Sequence, residues 1–422
     1  MATIDSSFEE LCKHFDETLN ADKSTFRTSN DHPTPTACVG EMIDRVPEEL
    51  WNRKNLSILD PCCGNGNFFV PILTKLMAHG ATEKQCMEEI FEFNDINTDR
   101  LDVVRKVFRG DKYKLKITED NFLTTPRAGE YDLIVANPPY AKLDENGKRA
   151  SKNHNLIKAF LGESLKLLKP GGYLVFITPN NWMSYADRNT LIMELTKLQI
   201  IHLDIHSAKK HFKKIGSSFT WYVIENRPFY KDINVSGIWN KEHYECTVKS
   251  GMRRYIPLFF NRIIQGILAK TVDNAELPKF KVETSSDLHK YTKRDLIRPE
   301  QCKEFQYRLI HTPKQTVYAS RPHKFQSGYK VFMSTTDKYR TWVDNCGMTQ
   351  SIVFIRCPSK EEADRHCETL NHPLYRFINS ICRWGNFNNI RILQSFPQPS
   401  GPDVYDCLGI TEDERNYIES LV

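Results

Sequence analysis

Two short stretches of this chain hold residue types that can do chemistry at a single point. The first is Asn137-Pro138-Pro139-Tyr140, which directly follows the apolar run Asp132-Leu-Ile-Val-Ala136. Two successive prolines stiffen the backbone, so the Asn137 side-chain oxygen and the Pro138 carbonyl can be aimed together. Two acceptors placed in this way suit the two N–H bonds of a planar exocyclic amine such as adenine N6. The lone pair of that amine is delocalised into the ring, which makes it a poor nucleophile. Drawing both protons aside favours a more tetrahedral nitrogen with its lone pair turned toward a methyl donor. This stabilises the transition state more than the ground state. No strong base is needed, because the proton becomes acidic once the methyl group has arrived. Tyr140 is placed to stack on the base.

The second stretch runs from Leu56-Ser-Ile-Leu-Asp60 into Pro61-Cys62-Cys63-Gly64-Asn65-Gly66. Glycines at a strand-to-helix turn let the backbone come close to a ligand. A phosphate-cradling loop would end in Gly-Lys-Ser/Thr, which is absent here. The dinucleotide fingerprint G-x-G-x-x-G is matched at Gly64 and Gly66 but broken by Phe69. An acidic Asp60 ahead of the turn suits a positively charged amine, not a pyrophosphate. S-adenosylmethionine, with its ammonium and sulfonium, fits that description. The next candidate strand ends in Asn94-Asp95-Ile96, where a carboxylate can accept from both hydroxyls of a ribose. Asn121 and Phe122 follow the third strand, where an amide can meet an adenine edge and a ring can cover its face.

The elements that must position these groups alternate in type. Apolar runs at 56–60, 90–95, 114–117, 132–136, 173–178, 200–206 and 219–225 predict strands. Segments 68–79, 98–108, 155–169 and 186–197 show helical periodicity, and Thr36 to Val46 predicts a further short helix. This alternation predicts an open, mostly parallel sheet covered by helices, with ligands beyond the carboxyl ends of the strands. After about residue 235 the pattern becomes irregular, and basic residues interleave with aromatic ones, as in Arg253-Arg254-Tyr255 and Lys338-Tyr339-Arg340. The expected division is therefore 1–235 and 236–422. Thr411-Glu-Asp-Glu414 is a capping box that opens a last short helix.

These motifs, in this order, resemble the gamma class of DNA adenine-N6 methyltransferases, the TaqI type found in restriction-modification and viral modification systems. The resemblance spans roughly residues 30–226. It takes in His32-Pro-Thr34-Pro35-Thr36, similar to the family's motif at the methionine end of the cofactor, and Asp60, Pro61, Cys62, Gly64 and Gly66. It also takes in Asp95 with Ile96, Asn137 to Tyr140, and the helix–turn–strand that runs from Leu168 to Trp182. Phe212, six residues before Ser218, resembles the family's second aromatic, which packs against the extruded base together with Tyr140. Asn121-Phe122 departs from the family's usual Asp-Phe, and Asp120 is a possible substitute. The resemblance implies a Rossmann-like, mixed seven-stranded α/β sheet of the class I S-adenosylmethionine methyltransferases, followed by a C-terminal α+β target-recognition domain. It implies S-adenosylmethionine as cofactor and double-stranded DNA as partner, bound by a monomer. A cognate restriction endonuclease would act as a separate protein. Methylation of RNA adenine or of a protein glutamine, or a catalytically dead DNA-binding module, are the alternatives.

Composition agrees with these expectations. Hydrophobic residues make up 40% and charged residues 26% of the 422, as in ordinary globular proteins. No apolar run is long enough to span a bilayer, and the first residues lack the features of a secretory signal, so a location in the cytoplasm, or in the nucleoid or a viral replication compartment, is expected, neither secreted nor in a membrane. The 12 cysteines form no C-x-x-C pair, so reduced thiols and no metal site are expected. Residues 236–400 carry 26 Lys and Arg against 15 Asp and Glu, an excess that predicts a polyanionic partner for that part. The polar segment 141–155, which contains Gly147, is read as a loop that closes over the base.

Overall fold

A computed structural model describes residues 1–22, 24, 32–140, 155–187, 189–212, 216 and 218–422. The chain forms two compact units. One is Met1–Asn180 with Thr190–Arg253, the other Asn181–Asn189 with Arg254–Val422.

The first unit is built on one sheet of nine strands: β1 Ile58–Asp60, β2 Phe91–Asn94, β3 Lys116–Thr118, β4 Tyr131–Ala136, β5 Leu168–Pro179, β6 Leu198–Asp204, β7 Phe219–Pro228, β8 Ile233–Trp239 and β9 Glu242–Val248. Their spatial order is β3-β2-β1-β4-β5-β7-β6-β8-β9. Strands β3 to β5 run parallel, and β7 is antiparallel to both β5 and β6. All seven expected strands are present. β1 and β4 are buried along their whole length, as parallel strands covered on both faces must be. One covering helix, Phe69–Ala78, sets Phe69 against Phe91 and Phe93, with ring centroids 4.6 and 4.3 Å apart. Helices Thr98–Val107, Asn155–Leu167 and Thr190–Leu195 occupy three of the predicted helical segments, the last of them shorter than expected.

The sheet is two strands wider than expected, and the first unit ends at Arg253, not at 235. β8 and β9 form a hairpin closed by Asn240 and Lys241, both at positive φ (49° and 72°). Such a two-residue turn matches the twist of the flanking strands. β8 also lies parallel to β6. A buried polar link holds it there, with Ser236 Oγ 2.9 Å from His202 Nε2 and donating to Asp204 Oδ2 at 2.9 Å.

The second unit is α+β. One four-stranded sheet joins Glu283–Thr284, Ile352–Arg356, Lys330–Ser334 and Thr341–Asp344; another joins Ile297–Arg298, Gln315–Ala319, Tyr307–Thr312 and Gly347–Met348. Helix Pro373–Ile381 buries Leu374, Phe377, Ile378 and Ile381, the i, i+3, i+4, i+7 stripe of a core-facing helix. The Thr411 capping box opens helix Glu412–Glu419 as expected. Among the described residues, no helix is long and apolar enough to cross a membrane.

Candidate active site

The chain order of the sheet reverses between β1 and β4, which lie side by side in register (Ile58 opposite Leu133, Leu59 opposite Ile134). A crevice opens outside the carboxyl ends of strands at such a switch point. Asp60 ends β1 and Asn137 directly follows β4, so two motifs 77 residues apart meet at one cavity. His32, Thr34, Asp60, Cys62, Gly64 and Asn137 line it, together with Asn67 and Arg100.

Asp60 is almost fully buried and accepts the Cys62 backbone N–H at 3.0 Å. Burial pushes its carboxyl well above the usual carboxylate range, and the nearby Asp95 adds to that push. No salt bridge compensates Asp60 among the described residues. A buried acid without a cation is costly, and a ligand that brings an ammonium would offset that cost. Asp95, at the end of β2, accepts Gly64 N–H and Asn97 N–H, each at 2.9 Å. It thereby ties the glycine turn to the second strand. Gly66 has φ +91°, and a Cβ there would sit 2.5 Å from the Phe108 ring. Only glycine fits that turn.

The Asn137 amide is engaged at both ends. Nδ2 donates to His32 O at 2.8 Å and to Thr34 Oγ1 at 3.1 Å, while Oδ1 accepts the Tyr140 hydroxyl at 2.5 Å. Residues 32–36 are themselves anchored. Asn67 donates to Thr34 O at 2.9 Å, and Asp16 accepts from Thr36 N and Thr36 Oγ1 at 3.1 and 2.9 Å. Pro35 stands at the N-cap of helix Thr36–Ile43. Pro138 is buried, and Pro139 is exposed beside it. Tyr140 is half-buried, its ring 6.0 Å from that of Phe219.

Other predicted site residues lie elsewhere. Phe122 is buried and stacked on Phe160 at 5.4 Å, so its ring is committed to packing and offers no open face. Asn121 is exposed, and its Oδ1 accepts the Leu123 N–H of its own turn at 3.1 Å. Asp120 is paired with Arg127 at 2.7 Å. Ile96 is exposed next to Asp95. Phe212, expected to stack on a base, is buried against Phe219 with centroids 4.5 Å apart. The loop expected at 141–155 falls outside the described residues, apart from the backbone of Asn155. Asn67 and Arg100 were not anticipated. Arg100 sits on helix Thr98–Val107 one turn beyond Asp95, and nothing in the local sequence separates it from an ordinary surface arginine.

Residues 67–212 match the Eco57I restriction-modification methylase family. The type II methyltransferase M.PstI of Providencia stuartii is 25% identical over 232 residues, covering 50% of this chain and 44% of that protein. The modification methylase CviBIII of Paramecium bursaria Chlorella virus NC1A is 26% identical over 414 residues, 92% of this chain and 98% of that one. The chain thus spans less than half of the bacterial relative but nearly all of the viral one. In fold, it is similar to a nuclease-deletion mutant of the Type ISP restriction-modification enzyme LlaGI in complex with a DNA substrate mimic. That likeness has a TM-score of 0.57 and 10% identity over 97% of this chain and 56% of that one. The first unit is a mixed α/β sheet covered by helices, and S-adenosylmethionine is the cofactor expected from the methylase-family match.

Proposed function

We propose that this chain, a relative of the restriction-modification DNA methyltransferases, methylates the N6 amine of adenine in double-stranded DNA. The observation that carries the proposal is the position of the Asn137 acceptor at the end of β4, on the rim of a cavity that also holds Asp60. When bound, S-adenosylmethionine supplies an electrophilic methyl group on a sulfonium. Asp60 suits the ammonium of its methionine end, and Arg100 suits the carboxylate. Asp95 is offered to the ribose, with Ile96 exposed beside it for the adenine face. Asn121 is the remaining amide for the adenine edge. Its oxygen already serves its own turn, so its Nδ2 is the better placed group.

Adenine N6 is inaccessible inside a duplex, so the base must leave the stack at a cost of a few kcal/mol. Stacking on Tyr140 returns about 1–3 kcal/mol, judged from single-strand binders. Asn137 Oδ1 and the Pro138 carbonyl would then hold the two N6 protons. In the structure the first of these acceptors receives the Tyr140 hydroxyl. Base entry therefore exchanges one donor for another, and no buried oxygen is left bare at any stage. The second unit, which carries most of the basic excess, would bind the phosphates and read the site.

The test is to treat unmethylated plasmid with the purified chain and S-adenosylmethionine and to sequence it for modified bases. N6-methyladenine at one recurring sequence is expected. Treated DNA without it, or methyl transfer to RNA or protein in its place, would overturn the reading. Asn137→Ala should lower the single-turnover rate at saturating cofactor by about 100- to 1,000-fold, the usual loss of one preorganised acceptor or donor. Its cofactor affinity should fall as well, because Asn137 also holds His32 and Thr34.

A further inference from the structure

A cluster in the second unit takes no part in this chemistry. Strand Ile352–Arg356 ends at Cys357, and the next helix, Lys360–Leu370, carries Glu362 and His366 one turn apart on a single face. The Cys357 thiol, a Glu362 carboxylate oxygen and a His366 ring nitrogen lie within 4.8 Å of one another. The Cys357 Sγ to His366 Nδ1 separation is 3.7 Å. Two ligands bonded to a tetrahedral zinc at about 2.3 Å (sulfur) and about 2.0–2.1 Å (nitrogen) stand about 3.6 Å apart. The thiol and the imidazole are thus already spaced as ligands of one ion.

The surroundings also fit an ion. The other nitrogen of His366, Nε2, lies 3.3 Å from the Gln398 side-chain amide. With that amide turned so that its oxygen faces the ring, Gln398 accepts the Nε2 proton and leaves Nδ1 free to ligate. A hydrogen-bonded outer partner of this kind is typical of metal-binding histidines. Phe280 stands edge-on to the imidazole at 5.1 Å and is itself buried, which keeps one side dry. Cys357 also lines an open cavity with Glu283, Tyr329 and Lys330. The helix is fixed independently by Ser359, whose side chain accepts the Glu362 N–H at 3.2 Å.

We propose that Cys357, Glu362 and His366 form a binding site for one zinc-class divalent cation, with Gln398 orienting the histidine. The ion binds Cys357 as the thiolate, whose proton passes to solvent, and the fourth position is filled by water. The site ties the end of a sheet strand to the following helix and to the segment around Pro397 and Gln398. A scan for paired cysteines misses it, because the ligands are spaced Cys-x4-Glu-x3-His and the strand-to-helix turn brings them together.

The test uses the full chain, stripped with chelator, reloaded with Zn²⁺ and freed of loose metal by gel filtration. One zinc per chain is expected in the wild type and in Cys302→Ser, an exposed cysteine elsewhere. Cys357→Ser and His366→Ala should each lose it, and Gln398→Ala should weaken binding by about 10- to 100-fold. Loading the wild type with Co²⁺ should give a near-ultraviolet thiolate-to-cobalt band, a readout that holds even if a variant misfolds. A wild-type chain that retains no zinc and shows no such band overturns the proposal. So does zinc retained equally by Cys357→Ser and His366→Ala.

Discussion

The side-chain oxygen proposed to receive the substrate amine accepts a hydrogen bond from Tyr140, the very tyrosine hydroxyl that the base's amine would replace. Tyr140 thus couples two roles, a hydroxyl that caps Asn137 and a ring that can stack. The two roles are separable by mutation. Tyr140→Phe keeps the ring and frees the acceptor, so kcat should stay within a few-fold of wild type. Tyr140→Ala removes the stacking face and should weaken capture of the rotated base by about 1–3 kcal/mol. The fluorescence of 2-aminopurine placed at the target position measures that capture directly. Equal losses in the two variants would show that the hydroxyl, not the ring, matters.

Among the elements, the turn between β1 and helix Phe69–Ala78 carries the tightest constraint. Gly66 combines positive φ with a ring where a Cβ would be. Gly66→Ala should cost about 1–3 kcal/mol of stability through backbone strain alone, and more if Phe108 cannot move. Because Gly64 and Asp95 are hydrogen-bonded across the same turn, cofactor affinity should fall with stability. Thermal unfolding with and without S-adenosylmethionine separates the two effects. A variant that melts like the wild type and binds cofactor equally well would contradict the turn's role. The β8–β9 hairpin shows a different kind of constraint. The strands expected from the sequence end at 225, whereas β8 pairs with β6 and a buried Ser236–His202–Asp204 link joins the hairpin to the first unit's sheet.

At the scale of the whole molecule, charge and pH give two checks. Burial holds His202 down at about 3 and His311 and His323 down at about 4. Each folded value lies below the ordinary imidazole value of about 6.5. The folded protein therefore gains stability from them above that pH and loses it as pH falls toward about 4. Urea midpoints measured from pH 7 to pH 4 should decline, starting below about pH 6.5, and a flat profile would contradict the burial of these rings. The basic excess of the C-terminal part gives the second check. If it neutralises DNA phosphates, the logarithm of affinity should fall linearly with the logarithm of salt concentration. Affinity unchanged by salt would sink that part of the proposal.

Strand positions in the first unit were legible because parallel strands buried on both faces must be continuous apolar runs, and 132–136 and 173–178 are such runs, while their order in the sheet came only from the structure. The Asn-Pro-Pro-Tyr corner and the acidic glycine turn were legible because their chemistry is local: a stiff acceptor pair, and a backbone conformation that only glycine permits. What the sequence could not tell was which side chains would be spent on packing. Phe122 and Phe212 look like free rings in a string of letters, and burial against Phe160 and Phe219 decides otherwise. Nor could it reveal Arg100 in the cavity or Cys357 beside His366. Those meetings depend on how helices and strands are packed in three dimensions, and spacing along the chain does not encode that distance.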